Sequence, residues 1–356
     1  MNFSCPTIFS NSKNKPLLSL MVVSLLRLFC LPVIAFSLLT AVDTQAAVRI
    51  RLGTLAPKGS SYYNELAKMG STWKKETRGK VSLTIYPDGR MGGEAEMVRR
   101  VRVGQLQGGL FSAVGLTEIE PAVSGLQNVP MLFESLDEVD YVGKKLQPLL
   151  EDQLQKKGFK VLFWANAGWV YFFTKAPVSV PDDLRKLKVF TWAGSPKVVD
   201  VYKGAGMNPV PLETKEILPG LQTGLISAVN MPPVIANANQ IDTKAPFMLD
   251  LKWAPLVGAA VIATKTWNRL PSETQTIILK VAHETGENIQ RIGRAEADQA
   301  VAAMKKRGLK VTQISDEQQA AWQQVAQEVY PQIRGDIVPE DTFDNVQKWI
   351  SEYRRK

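Results

Sequence analysis

The order of strand-like and helix-like patterns after residue 47 is the feature that most limits the fold of this chain. Residues 48–54 alternate charged and apolar side chains, as a half-buried strand does, and residues 81–86 form a second strand-like segment that ends at a Pro-Asp-Gly turn. Helical patterns follow both strands, and residues 110–114 form an apolar third strand. This βαβαβ order predicts an α/β fold with helices on both faces of a sheet.

Later segments extend the pattern to two lobes. Residues 161–175 are an aromatic, strand-rich run with a predicted kink at Gly168, and short βα units follow it. Residues 272–307 have the pattern of one helix, which Gly308 ends. Such a helix is on the order of 50 Å long at 1.5 Å per residue, which is longer than one small lobe needs. We therefore predict a two-lobed clamshell with a long helix bracing both lobes and a ligand cleft between them.

The predicted division of the chain has three parts. Residues 1–46 are a signal peptide. The first lobe takes residues 47–168 together with residues 257–298, which return to it. The second lobe takes residues 169–256, and residues 299–356 pack on it.

The first 46 residues have the composition of a secretory signal. Basic residues precede an uncharged apolar run over residues 28–42, and small residues follow. These features predict cleavage near Ala46 and a periplasmic mature protein, because the run is too short and too interrupted for a transmembrane helix. The flank before Met21 is long for a signal, so the start codon is either Met1 or Met21.

The predicted mature chain contains no cysteine, because Cys5 and Cys30 both lie in the signal segment. We therefore expect its stability to come from a hydrophobic core and not from disulfides. Loss of the segment removes three basic residues and one acid, which lowers the net charge from +9 to +7. Lysine and arginine alternate with acids along the predicted helices, as on a solvated surface, so no nucleic-acid partner is expected.

Sequence motifs for catalysis are absent. The predicted mature chain has one histidine, His283, and lacks the motifs of serine hydrolases, zinc proteases, P-loop proteins and dinucleotide-binding proteins. Asp182 and Asp183 follow Pro181 at a predicted helix start, where capping explains them. We expect no enzymatic activity, metal or cofactor, and an enzyme with an unfamiliar site stays as a minor alternative.

Five segments of the chain carry a family resemblance. They are Arg51-Leu52-Gly53-Thr54, Tyr86-Pro87-Asp88-Gly89 with Gly92-Gly93-Glu94, Pro181-Asp182-Asp183-Leu184, Glu216-Ile217-Leu218-Pro219-Gly220 and Trp267-Asn268-Arg269-Leu270-Pro271. In order and spacing, over nearly all of residues 48–350, they resemble the substrate-binding proteins of TRAP transporters, the DctP family. The resemblance implies a periplasmic two-lobed receptor that delivers a solute to TRAP permease subunits driven by an ion gradient.

The chain departs from the family where most members bind a substrate carboxylate. The resemblance places Phe190 and Val170 at two positions that are arginine in those members. A guanidinium binds a carboxylate through two parallel hydrogen bonds, which neither replacement can form. The departures therefore imply a cleft with apolar walls and a substantially apolar ligand or a hydrophobic acid. The predicted ligand-binding residues are Leu55, Ser112, Trp169, Phe190, Trp192, Asn230 and Met231.

Several alternatives stay open at this point. Lys188 shares the strand parity of Phe190, so it is either an exposed lysine or the anion partner in a receptor for small mono- or dicarboxylates. Asn230 is equally a ligand-facing amide or a turn residue, and residues 316–334 either cover the sheet or dock a partner. The departures resemble a divergent branch associated with tetratricopeptide-repeat partner proteins. A scaffold that keeps the fold without capturing a solute is the alternative of another class.

Overall fold

The computed structural model describes residues 47–356, and the predicted signal peptide lies outside the described residues. No helix between Ala47 and Lys356 combines the length and the apolar character needed to span a bilayer. The strands in this range are β1 (Val48–Thr54), β2 (Val81–Tyr86), β3 (Gly108–Ser112), β4 (Phe159–Thr174), β5 (Lys188–Trp192), β6 (Asn208–Leu212), β7 (Ala228–Met231), β8 (Phe247–Ala263) and β9 (Lys310–Thr312).

Helices cover both faces of the sheet. They are α1 (Ser61–Glu76), α2 (Glu94–Arg102), α3 (Ala113–Thr117), α4 (Leu136–Lys156), α5 (Pro181–Arg185), α6 (Pro196–Gly204), α7 (Ile217–Thr223), α8 (Pro233–Ala238), α9 (Thr264–Trp267), α10 (Ser272–Lys306), α11 (Asp316–Glu328), α12 (Tyr330–Asp336) and α13 (Glu340–Arg354). Three short 3₁₀ turns lie between them, at Pro121–Leu126, Thr214–Glu216 and Ile241–Thr243.

The strands of residues 47–356 form one mixed sheet in the order β2-β1-β3-β8-β4-β7-β5-β6, and β9 pairs with β8. At one end β1 pairs in parallel with β2 and β3, and at the other end β5 pairs in parallel with β6 and β7. The long strands β4 and β8 run antiparallel to each other and join the two groups. The first half of β4 therefore belongs with β3, and its second half with β7. This arrangement confirms the predicted two-lobed α/β fold.

Helix α10 contacts both lobes, as the brace predicted from its length. It packs against α1 of the first lobe, against α8 of the second lobe, and across β4 between them. The register of β4 against β8 shifts between Asn166 and Trp169, and Gly168 there has a φ of 87°, which favours glycine. The kink predicted from the sequence at Gly168 thus lies where the long helix crosses the strand.

Two differences from the sequence prediction have a clear physical cause. The third strand ends at Ser112 instead of residue 114, because residues 113–117 turn into α3. The carboxylate of Glu94 accepts hydrogen bonds from the backbone N–H groups of Ser112 and Gly115 and so satisfies the first turn of that helix. The predicted helix over residues 316–334 is two helices, because Pro331 lacks the N–H that a continuous helix needs.

The C-terminal helices pack on both lobes, so the prediction that residues 299–356 all pack on the second lobe is wrong for α13. Helix α13 lies on α4 of the first lobe, where Arg354 Nε and Glu138 Oε1 are 2.7 Å apart. Helix α11 packs on the second lobe through Trp322, which is fully buried beside Phe172 and Trp253. Covering the sheet is therefore the role that the structure gives α11.

Candidate ligand-binding site

A cavity of about 500 Å³ lies between the two groups of parallel strands. Residues at the carboxyl ends of β1, β3, β5 and β7 line it: Thr54, Ser112, Trp192 and Met231. The carboxyl ends of parallel strands are the usual position of ligand sites in open α/β sheets, because loops and helix N-termini converge there. The volume of the cavity is in the range of small-molecule binding sites.

The structure brings most of the predicted site residues together around this cavity. Its lining includes Leu55, Ser112, Trp192, Asn230 and Met231, and it also includes Val170. The other three predicted residues, Trp169, Phe190 and Lys188, are not part of the lining. The role of all of them in ligand binding stays a prediction.

The orientation and position of each strand explain the three exceptions. Trp169 and Val170 are neighbours on β4 and point to opposite faces, and Val170 faces the cavity. Trp169 is 8% exposed in the core of the first lobe, with Lys252 Nζ 5.5 Å from its ring centre. Lys188 is exposed at the first residue of β5, about 13 Å along the strand from Trp192 at about 3.3 Å per residue.

Phe190 supports the cavity wall from behind. Its side chain is fully buried in the core of the second lobe, and its ring meets the ring of Trp192 edge-on at 4.9 Å between centroids. An arginine side chain at this position would have to leave the core to reach a ligand. Phe190 thus fixes the ring of Trp192, which does line the cavity.

Glu94 is the buried carboxylate of the site. Its oxygens accept hydrogen bonds from Ser112 Oγ at 2.5 Å, from Ser112 N at 2.7 Å and from Gly115 N at 2.9 Å. Burial raises the pKa of Glu94 above its ordinary value, although these three hydrogen bonds act in the opposite direction. The Ser112 hydroxyl is therefore committed to Glu94, and this end of the cavity does not favour a second carboxylate.

Asn230 and Tyr202 form the polar contact of the second lobe. Asn230 Nδ2 donates a hydrogen bond to the Tyr202 hydroxyl at 3.3 Å, and burial raises the pKa of Tyr202 to about 12. Within the described residues Asn230 Oδ1 and Thr214 Oγ1 are buried without a hydrogen-bond partner, and both residues line the cavity. A ligand that donates a hydrogen bond would satisfy Asn230 Oδ1.

Charged groups are few around the cavity. Asp88, Glu94 and Lys215 are the charged residues of the lining that the described range contributes, and it contributes no arginine. Lys215 is exposed, and Asp88 accepts a hydrogen bond from the backbone N–H of Lys58 at 3.0 Å. In the same range no group of three or more His, Cys, Asp or Glu side chains is arranged to hold a metal ion.

Sequence reasoning missed a large part of the lining. Residues of α6, α11 and α12 form one side of the cavity, and Tyr62, Asn128 and Trp253 contribute from other elements. Trp253 packs edge-on against the ring of Phe172 and also lines the cavity. The helical pattern of residues 316–334 was visible in the sequence, but nothing local showed that it faces α6 across the cavity.

The two lobes touch beside the cavity. The carboxylate of Glu213, on the second lobe, lies so close to Gly93, on the first lobe, that a Cβ atom at Gly93 would overlap it. On the same side, a Cβ atom at Gly194 would be 3.6 Å from the Cβ of Ala95. The two lobes are therefore in direct contact on this side of the cavity.

Comparison with known proteins decides the family. The model of the family described as bacterial extracellular solute-binding protein, family 7 (DctP), matches residues 52–336. This chain belongs to that family. The resemblance that the sequence segments suggested is thereby confirmed.

Family members of known name share about a quarter of their residues with this chain. The 2,3-diketo-L-gulonate-binding periplasmic protein YiaO of Escherichia coli is 27% identical over 270 residues, which is 75% of this chain and 81% of the relative. The C4-dicarboxylate-binding periplasmic protein DctP of Rhodobacter capsulatus is 26% identical over 314 residues, which is 85% of this chain and 86% of the relative.

Solved structures of the family show the same fold. A TRAP periplasmic solute-binding protein of Ralstonia eutropha with bound (S)-2-acetolactate superposes with a TM-score of 0.80 at 17% identity and covers 85% of this chain and 99% of its own. A TRAP periplasmic solute-binding protein of Sulfurospirillum deleyianum with bound succinate has a TM-score of 0.78 at 21% identity with the same coverage.

Proposed function

We propose that this solute-binding protein is a periplasmic receptor for a substantially apolar organic molecule or hydrophobic acid, which it delivers to a TRAP-type membrane transporter. The observation that carries the proposal is the chemistry of the cavity lining. Aromatic and aliphatic side chains dominate it, and among the described residues Lys215 is the only cation in it. Val170 faces the cavity at a position that the family resemblance assigns to an arginine.

The energetics of burial favour an apolar ligand over a dicarboxylate. A dicarboxylate enclosed by these walls would lose its hydration, and each carboxylate left without a charged hydrogen-bond partner would cost several kcal/mol. An apolar group gains roughly 25 cal/mol for each Å² that it removes from water. One carboxylate or hydroxyl group remains compatible with the site, because Asn230 Oδ1 needs a donor and Lys215 is available as a cation.

A receptor for small organic acids is the second candidate, and the names of the relatives favour it. They bind 2,3-diketo-L-gulonate and C4-dicarboxylates, and the two solved structures contain acetolactate and succinate. This candidate requires a cation at the cavity. Lys188 lies at the far end of β5, so Lys215 is the better-placed partner. Lys215→Met should then abolish acid binding, whereas binding of an uncharged apolar ligand should persist.

Native mass spectrometry of protein purified from periplasmic extract tests the proposal against a third reading. A retained small molecule of largely apolar composition supports the receptor. A retained sugar acid or dicarboxylate supports the second candidate. A persistently empty protein with tight protein partners supports a non-capturing scaffold, the alternative of another class.

The proposed function also requires that the protein is exported and that its chain divides into two lobes. We place signal cleavage near Ala46 and the chain crossings near residues 168 and 256, and we expect TRAP permease subunits and a tetratricopeptide-repeat protein as partners. We propose no catalytic step for any of its residues. N-terminal sequencing of the periplasmic protein should begin near Ala47, and an intact apolar segment in a membrane fraction would contradict export.

A further inference from the structure

Helix α6 presents an apolar stripe to the cavity. Val198, Val201, Tyr202 and Ala205 line it, and their spacing of three and four residues places them on one side of the helix. Of these four only Tyr202 is buried, and the other three are half-buried. The stripe lines the cavity, and Val201 and Ala205 also pack against the cluster that contains Val329 and Ile333.

A second apolar stripe lines the same cavity from the C-terminal helices. The stripe contains Val325 on α11, Val329 between the helices, Ile333 on α12 and Ile337 just after it, and all four are part of the lining. Three of them are less than 9% exposed, so they are screened from bulk solvent although they border a cavity. Such screened apolar space is suited to an apolar guest.

Polar contacts join the helices on the outside. Lys197 Nζ donates a hydrogen bond to the backbone oxygen of Asp336 at 2.7 Å, which connects the start of α6 to the end of α12. At the other end of α6, a Cβ atom at Gly204 would lie 2.8 Å from Gln332 Oε1, so these two residues touch. We call the part of the cavity that the two stripes line the branch, and the part at the strand ends the chamber.

The branch offers a ligand no polar partner except at its junction with the chamber. The hydroxyl of Tyr202 is occupied by Asn230 Nδ2, whereas Asn230 Oδ1 is free for a donor. The whole cavity of about 500 Å³ is in the usual range of small-molecule sites, which leaves room for an acid with a medium-length alkyl chain.

We propose that the branch between α6 and the α11–α12 stripe holds the alkyl tail of an amphipathic ligand, with its polar end in the chamber, where a hydroxyl would donate to Asn230 Oδ1 and a carboxylate would pair with Lys215. The inference rests on the proposed function and makes it more specific: the ligand is a medium-chain alkyl compound, not a compact aromatic one. Ala205 and Val201 then determine how long a tail the protein accepts.

A chain-length series tests the tail site. Calorimetry with straight-chain acids of four to fourteen carbons should show affinity rising roughly fourfold for each CH₂ group, equivalent to about 0.8 kcal/mol, until the branch is full. Ala205→Phe fills the branch and should weaken binding of acids with ten or more carbons at least tenfold, while acids of four to six carbons bind as before. Val201→Phe is a second variant with the same expected result.

Lys203→Phe is the matched control, because it adds the same ring on the exposed side of α6. It should bind every acid like the unmodified protein. Affinity that stops rising at six carbons, or equal losses for all chain lengths in Ala205→Phe, would overturn the tail site. If phenylacetate still binds in that case, the proposed function stands. If succinate binds and no alkyl or aromatic acid does, both fail.

Discussion

Gly293 on α10 and Asn166 on β4 approach each other so closely that a Cβ atom at Gly293 would lie 2.7 Å from the backbone oxygen of Asn166. The carbon atoms of Ala167 would be 2.9 Å away, and the carbonyl of Gly293 in turn restricts Gly168. Backbone atoms on both sides leave no flexible group that can move aside. The long helix therefore crosses the shared strand at a contact that only glycine permits.

Gly293→Ala should destabilise the protein by about 1–3 kcal/mol, because the added methyl group must push helix and strand apart. Denaturant unfolding measures the change. Gly143→Ala is the control, since a Cβ atom there meets only the flexible amide of Gln147. This control should be neutral or gain up to about 1 kcal/mol from helix propensity. Equal stability of the two variants would contradict the close crossing.

Phe190→Arg should fail to create a carboxylate site and should instead destabilise the second lobe by roughly 3–5 kcal/mol. Phe190 is fully buried, so the new guanidinium would stand in the core without a partner. Val170→Arg is the matched comparison, because Val170 faces the cavity. Thermal unfolding followed by circular dichroism measures the stability of both variants. A stable Phe190→Arg protein that binds succinate would contradict this and would show that a side chain at position 190 can reach the ligand.

The pairing of Glu138 with Arg354 should make stability depend on pH. Burial alone would raise the pKa of Glu138, but hydrogen bonds from Arg354 and the backbone hold it below its ordinary value of 4.5. A lowered pKa stabilises the folded protein above pH 4.5, and this contribution is lost as the pH falls through the folded-state pKa. It links α4 to α13.

Arg354→Ala should therefore cost about 1–3 kcal/mol at pH 7, and the difference from the unmodified protein should shrink as the pH falls below about 4. Urea unfolding between pH 7 and pH 3.5 measures it. Arg355→Ala removes an exposed arginine from the end of the same helix and should have little effect at any pH. A loss in Arg354→Ala that is the same at every pH would assign the effect to packing.

Local sequence signals were sufficient for much of the fold. The alternation in residues 48–54 and the turn after residue 86 predicted β1 and β2 to the residue, and the length of α10 predicted a helix that contacts both lobes. The end of β3 was misplaced because the group that caps α3 is Glu94, about twenty residues away. Contacts between distant segments decide such boundaries.

The candidate site was predictable only in part, for a similar reason. Strand parity grouped Lys188, Phe190 and Trp192, but parity does not say which end of a strand meets the cavity, and only Trp192 lies there. The apolar side of α6 lines the cavity together with Val329 and Ile333, which are more than 120 residues away in the chain. A single sequence shows each stripe and not their juxtaposition.

The most direct test of the account is isothermal titration calorimetry of the mature protein with octanoate and with succinate under identical conditions. The lining predicts octanoate binding with a dissociation constant on the order of 10 µM or tighter, and no heat from succinate at millimolar concentration. Micromolar binding of succinate with no binding of octanoate would contradict the apolar cavity and would identify a cation at the site, with Lys215 the first to examine.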